Sequence, residues 1–105
     1  MTIEYEYLSE SKHSMSLEEF ADKQNLIMVV KERARDFWPK SRFYAQFKNA
    51  EVREGACLRG TYGNGETELQ AITAYASEIS GHLLVVDAFT KKRREIQVPE
   101  LTFQP

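Results

Sequence analysis

The side chains best suited to chemistry are cations and one aromatic residue that recur at every second position of two short segments. Successive side chains of a strand point to opposite faces, so each set is expected to share one face. Cations beside an aromatic ring can contact phosphates, stack on bases or receive an acidic protein surface. The pattern therefore predicts a partner-binding sheet face; a solvated face with cross-strand pairs to glutamates stays open as the alternative. The set comprises Lys31, Arg33, Arg35, Arg42, Tyr44, Lys48 and, if the register of the third strand allows, Arg59.

Phe37 and Trp38 precede Pro39 in a connection between two predicted strands. Tryptophan is enriched at interface hot spots, and loops carry function more often than the elements that they join. We therefore add both residues to the predicted partner-binding surface. Packing of the same two rings under the loop is the alternative.

A compact basic run consists of Lys91, Lys92, Arg93 and Arg94. At a hairpin tip such a run can bind nucleic-acid phosphates. It can equally keep the hairpin soluble, because short basic runs are common on protein surfaces.

Residue types that serve catalysis are few. His13, His82 and Cys57 lack the spacing of a metal site or a nucleophile motif, and Cys57 is expected to pack as a small apolar residue. The glycines at 60, 63 and 65 do not form a dinucleotide-binding fingerprint. We predict a protein without cofactor or metal that is not an enzyme.

Composition bounds the possible roles. The chain has 105 residues, 42% hydrophobic and 29% charged, with a net charge of -2, which indicates one domain over residues 1–105. No apolar run is long enough to span a bilayer and no signal peptide is recognisable, so a cytoplasmic protein without membrane contact is expected. Residues 31–59 carry eight basic and four acidic side chains, whereas residues 60–90 carry four acidic side chains and no Lys or Arg.

Two capping boxes position the predicted elements. Ser16 with Glu19 opens a first helix that ends at Asn25, and Thr67 with Gln70 opens a second that ends at Gly81. The remaining pattern predicts strands at 3–7, 26–35, 42–48, 56–62, 82–89 and 95–98, a polar hairpin connection at 49–55 and a glycine turn at 63–65. The fold class is therefore α+β, with an α-β-β-β-α core at about residues 16–80. Its antiparallel sheet carries both helices on one face, and an N-terminal strand and a C-terminal β-hairpin are added.

This order resembles a double-stranded-RNA-binding domain and the partial version of that fold in HicB-type antitoxins. The segment from Leu17 to Leu26, three strands and a glycine turn into a helix carry the first resemblance. The residues Phe43-Tyr44-Ala45 and the passage from Gly60 to Ile72 carry the second. The RNA-binding family has lysines at the start of its second helix to clamp phosphates, where this sequence has Glu66 and Glu68.

A further resemblance, to small bacteriophage and prophage proteins of unassigned function, rests on three segments. They are residues 16–23, residues 62–65 and residues 79–86. It implies an accessory role in a bacterial host cell. The leading hypothesis is non-catalytic binding of a host or phage protein. Nucleic-acid binding through the basic face and a HicB-like antitoxin are the alternatives, and a homodimer through the edge strand at 3–7 is also expected.

Overall fold

Two helices and nine strands are formed by the residues that the computed structural model describes, which are residue 2, residues 14–33 and residues 41–103. In chain order they are β1 (Ser14–Ser16), α1 (Leu17–Gln24), β2 (Met28–Glu32), β3 (Phe43–Phe47), β4 (Ala50–Glu54), β5 (Cys57–Arg59), β6 (Gly63–Gly65), α2 (Glu68–Ile79), β7 (Leu83–Val86), β8 (Arg94–Gln97) and β9 (Glu100–Thr102). The sheets have the orders β2-β3-β6, β5-β4-β7-β8 and β1-β9, of which the last is parallel. The predicted α+β class is confirmed, and the strand expected at 3–7 lies outside the described residues.

Strands β3 and β4 are the two halves of one chain segment that bends at Lys48 and Asn49. The Lys48 N–H still donates to the Ile27 carbonyl at 2.8 Å, as if β3 continued. The Asn49 carbonyl already accepts from the Asp87 N–H at 3.0 Å, as if β4 had begun. Asn49 has a φ of 58° at the bend. The segment therefore leaves the β2-β3-β6 sheet and enters the β5-β4-β7-β8 sheet.

The prediction of a polar connection at 49–55 is wrong, because Ala50–Glu54 is a strand. Ala50 and Val52 are buried, while the charged residues between and after them stay partly or fully exposed. This alternation is a strand pattern. Its three charged side chains in five residues obscured the pattern in the sequence.

Strand β6 occupies the glycine segment that was predicted as a turn. Gly63 and Gly65 pair with Ala45 and Phe43 of β3. A Cβ atom on Gly63 would lie 2.7 Å from the Tyr75 Cα, and closer still to other backbone atoms of α2. A Cβ atom on Gly65 would lie 2.5 Å from the Ala71 nitrogen. These glycines are required by the close approach of α2 to the sheet rather than by a turn.

Both predicted helix starts are confirmed. The Ser16 hydroxyl accepts from the Glu19 N–H at 3.1 Å, and the Thr67 hydroxyl accepts from the Gln70 N–H at 3.1 Å. The Gln70 amide oxygen in turn accepts from the Glu66 N–H at 2.9 Å. Each cap satisfies a donor that the first helical turn would otherwise leave free.

The core is organised around Phe47. Its ring contacts Phe20 of α1 with centroids 6.2 Å apart and Tyr75 of α2 with centroids 5.4 Å apart. All three rings are almost fully buried. Because one residue of β3 touches both helices, α1 and α2 pack on the same side of this strand.

Strands near the two ends of the described region pair with each other, which was not predicted from the sequence. Strand β1 pairs in parallel with β9, so that Met15 lies opposite Leu101. The Leu101 N–H also donates to the Ser80 hydroxyl at the end of α2, at 2.9 Å. The predicted C-terminal hairpin is confirmed as β7 and β8, with shorter strands than expected.

Gly63→Ala is expected to lower the free energy of unfolding by about 3 kcal/mol or more, because the added methyl group meets helix backbone that cannot rotate away. Gly60→Ala is the matched control, since nothing lies within 4 Å of a Cβ atom at that position. The control should change stability by less than about 1 kcal/mol. Urea denaturation followed by circular dichroism measures both, and equal midpoints for the two variants would contradict the close approach.

Tyr75→Phe is expected to remove an alkaline loss of stability. Burial raises the pKa of the Tyr75 phenol from 10.0 to about 12, and the nearby Phe47 backbone offsets this only in part. The hydroxyl makes no hydrogen bond of standard geometry with a described residue. The folded state thus favours the neutral phenol, and its contribution is complete below pH 10 and is lost between about pH 10 and about pH 12.

Urea denaturation of the wild type and of Tyr75→Phe at about pH 8 and about pH 11 distinguishes the stability change caused by the Tyr75 phenol from that caused by other ionisable groups. At the lower pH the variant should match the wild type or exceed it by about 1 kcal/mol, because a buried unpaired hydroxyl is removed. At the higher pH the wild type should lose more stability than the variant. Equal losses would show that the phenol is not held in a desolvated site.

Candidate functional site

The register of β2 and β3 gives the predicted binding face its geometry. Lys31 lies directly opposite Tyr44, while the next pair, Val30 and Ala45, packs in the core. Directly opposed side chains of an antiparallel pair share a face. Lys31 and Tyr44 therefore lie together on the face that points away from the helices. Asn64 of β6 pairs with Tyr44 and extends this face.

Arg33 stacks on two tyrosines at the end of this face. Its guanidinium carbon lies 4.6 Å from the Tyr44 ring centroid and 5.7 Å from the Tyr62 ring centroid. The two rings meet edge to face, 5.9 Å apart and at 66°. Arg33 also donates to the Ser41 carbonyl at 2.6 Å. We call Arg33, Tyr44 and Tyr62 the arginine–tyrosine cluster.

The side chains of the arginine–tyrosine cluster are both fixed in position and accessible to solvent. Arg33 and Tyr44 are half-buried, Tyr62 is 47% exposed, and neighbouring Lys31 is exposed. A cation over an aromatic ring contributes about 0.5–1 kcal/mol at an exposed site, so each contact limits the rotamers of a long side chain. The cluster can thus present a cation and a phenol to a partner in fixed positions.

Tyr62 is the member that sequence reasoning missed as a site residue. It ends the strand predicted at 56–62, but in the structure β5 ends at Arg59 and Tyr62 lies in the connection before β6. The register in which Val52 of β4 pairs with Arg59 of β5 does not continue to the pairing of Ala45 of β3 with Gly63 of β6. The chain therefore shifts register between β5 and β6. The pairing of Tyr62 with the face of Tyr44 could not be read from simple alternation.

Arg42 and Arg59 do not join the arginine–tyrosine cluster. Arg42 bonds Glu32 through Nη2 at 2.7 Å, and its guanidinium lies over the Phe43 ring at 5.2 Å.

Arg59 pairs in register with Val52, whose side chain is in the core, and forms an ion pair with Glu54 at 2.9 Å. The expectation that Arg59 shares the binding face is therefore corrected. Arg59 belongs to the β5-β4-β7-β8 sheet rather than to the β2-β3-β6 sheet that carries the cluster, and it is exposed.

Three other predicted residues, Arg35, Phe37 and Trp38, lie outside the described residues. Lys48 lies at the bend between β3 and β4 and is exposed. It is separated from the arginine–tyrosine cluster by the length of β3.

The basic run at the β7–β8 hairpin does not form one continuous cationic patch. Arg93 bonds Glu95 at 3.2 Å, and Arg53 bonds the same carboxylate at 2.6 Å. The guanidinium groups of Arg93 and Arg53 lower the pKa of Glu95. Lys91 and Lys92 are exposed in the loop, whereas Arg94 is half-buried as the first residue of β8.

The described residues contain no group of three or more His, Cys, Asp or Glu side chains placed to hold a metal ion. Cys57 is exposed, so the expectation that it packs as an apolar residue is wrong. It lies in β5 next to the two-residue hairpin turn, beyond the reach of the core. His82 is exposed as well. Neither described helix is long and apolar enough to cross a membrane.

Comparison with known proteins does not assign the chain to a family. No protein-family model matches the sequence, and neither the curated proteins nor the solved structures give a match.

Proposed function

We propose that this protein is a small, non-catalytic binding module that captures a host or phage protein through the arginine–tyrosine cluster. The observation that carries the proposal is the stacking of Arg33 on Tyr44 and Tyr62 at a sheet face turned away from both helices. Lys31 adds a second cation beside the cluster. The preferred partner surface is therefore acidic.

Tyrosine and arginine are among the residues that most often dominate binding energy at protein interfaces. Their usual cost is the loss of side-chain freedom on binding, about 0.5–1.5 kcal/mol for each immobilised side chain. Here the ring contacts and the Arg33 bond to Ser41 have already restricted the guanidinium in the free protein. The cations also favour rapid encounter with an acidic partner.

A protein partner is favoured over nucleic acid by two features. Base stacking needs a free aromatic face, and the Arg33 guanidinium lies over the Tyr44 ring. Glu66 and Glu68 are exposed at the start of α2, where they would repel phosphates. Nucleic-acid binding through this face and the basic run stays the competing hypothesis, and it predicts affinity that falls steeply as salt rises.

We further propose a specific arrangement for the core. Helix α1, the β2-β3-β6 sheet and helix α2, with β4 and β5 inserted between β3 and β6, support a core like that of double-stranded-RNA-binding domains and HicB-type antitoxins. The proposed setting is the cytoplasm of a bacterial host cell, in a phage accessory role. An antitoxin role would be indicated by a neighbouring toxin gene, and the homodimer through residues 3–7 stays a prediction that light scattering can check.

The double variant Arg33→Gln, Tyr62→Ser is expected to lose its partner. Removing two hot-spot residues should weaken binding at least about tenfold, since each hot spot contributes about 2 kcal/mol or more. The measurement is affinity capture from a bacterial lysate with quantitative mass spectrometry. One arm keeps nucleic acid and the other is treated with nuclease.

The matched control is Arg59→Gln, Leu69→Ser. It removes one cation and one half-exposed apolar side chain, since Leu69 is 46% exposed and Tyr62 is 47% exposed. Proteins enriched by the wild type and by this control, and depleted in the first variant, support the proposal. Equal capture by both double variants would refute the proposal. Capture that disappears after nuclease treatment would show that the protein binds nucleic acid instead.

A further inference from the structure

A groove of about 500 Å³ lies where three connections meet, and it shares no residue with the arginine–tyrosine cluster. It is bounded by the α1–β2 connection, the β3–β4 bend and the β7–β8 loop. Its volume falls within the range of small-molecule sites, about 300–1,000 Å³. The groove therefore has room for a ligand of nucleotide size.

Three cations line this groove: Lys48 at the bend, Lys92 in the loop and Arg94 at the start of β8. None of them has an ion pair or side-chain hydrogen bond with another described residue. We call this feature the basic groove.

Arg94 is unusual among the arginines that the structure describes. Each of the others bonds a carboxylate or a backbone carbonyl, namely Arg33, Arg42, Arg53, Arg59 and Arg93. Arg94 is half-buried, and its guanidinium bonds none of the described residues. Partial burial of a guanidinium away from water is unfavourable, and a bound anion would offset that cost.

Backbone geometry shapes the three connections that bound the groove. Among described residues, those with positive φ that are not glycine are Asn25 at 55°, Asn49 at 58° and Asp87 at 53°. All three line the basic groove. Asn and Asp adopt this conformation more readily than other side chains, and here it caps α1 at Asn25 and bends the chain at Asn49.

The remaining lining decides the class of ligand. Ile27 is 63% exposed beside the cations and offers an apolar contact. Asp87 supplies one carboxylate, which suits a ligand hydroxyl and disfavours an extended polyanion. Asn25 and Asn49 carry amides that can donate to or accept from a polar ligand group.

We propose that the basic groove binds a phosphomonoester carried on a small organic ligand. Lys48, Lys92 and Arg94 hold the phosphate, and the organic part lies against Ile27 with a hydroxyl at Asp87. Guanidinium and ammonium groups form charge-assisted hydrogen bonds with phosphate oxygens, which are about twice as strong as neutral ones. The site is separate from the protein-binding face and does not depend on its partner.

The test is a titration of the full chain, followed by amide chemical shifts, with adenosine 5′-monophosphate, ribose 5-phosphate and unphosphorylated adenosine. Saturable shifts at Asn25, Lys48, Asn49 and Arg94 are expected with the two phosphates and not with adenosine. Arg94→Gln and, separately, Lys48→Gln should each weaken binding about tenfold or more, because each removes a charged hydrogen bond to phosphate. Lys91→Gln is the matched control, since Lys91 is an exposed neighbour of Lys92 outside the groove lining.

Binding that is equal in Arg94→Gln and Lys91→Gln would overturn the proposal, as would absence of saturable binding by both phosphates at low salt. Lys48→Gln keeps the test decisive if Arg94→Gln fails to fold, because Lys48 is exposed. A single-stranded oligonucleotide that binds more tightly than the monophosphate and shifts Tyr44 would replace the small ligand with nucleic acid. Unchanged phosphate binding by Arg33→Gln, Tyr62→Ser would separate this site from the protein-binding face.

Discussion

Helix α2 lies against strand β6 at a distance that only glycine allows, and the rest of the fold depends on this contact. Backbone atoms of Ala71 and Tyr75 occupy the space that Cβ atoms on Gly63 and Gly65 would need. The contact fixes β6 beside β3, and the residue just before β6, Tyr62, thereby reaches Tyr44. A packing constraint on the core side of the sheet thus places the proposed binding residues on its other side.

The bend between β3 and β4 is the second constraint, because it lets one segment serve two sheets. The first half carries Tyr44 on its outer face and Phe47 in the core. The bend itself brings Lys48 and Asn49 to the edge of the basic groove. The two proposed sites therefore share no residue, although Tyr44 of one lies in β3 and Lys48 of the other lies directly after it.

Local features of the fold could be predicted from the sequence, and features that depend on distant contacts could not. The caps at Ser16 and Thr67 are short-range hydrogen bonds, so their residue types sufficed. The face shared by Lys31 and Tyr44 followed from alternation within two strands. Strand β4 and the placement of Tyr62 depend instead on the bend and on a register slip between β5 and β6, for which the sequence has no local signal.

The proposed function requires that the arginine–tyrosine cluster is already formed in the free protein. Its most direct test is the proton chemical shift of the Arg33 side chain in the isolated protein. The rings of Tyr44 and Tyr62 should move these resonances upfield, and Tyr62→Ser should reduce the shift while the fold persists. Random-coil shifts for Arg33 that do not change on Tyr62→Ser would show that the cluster is not formed before a partner binds.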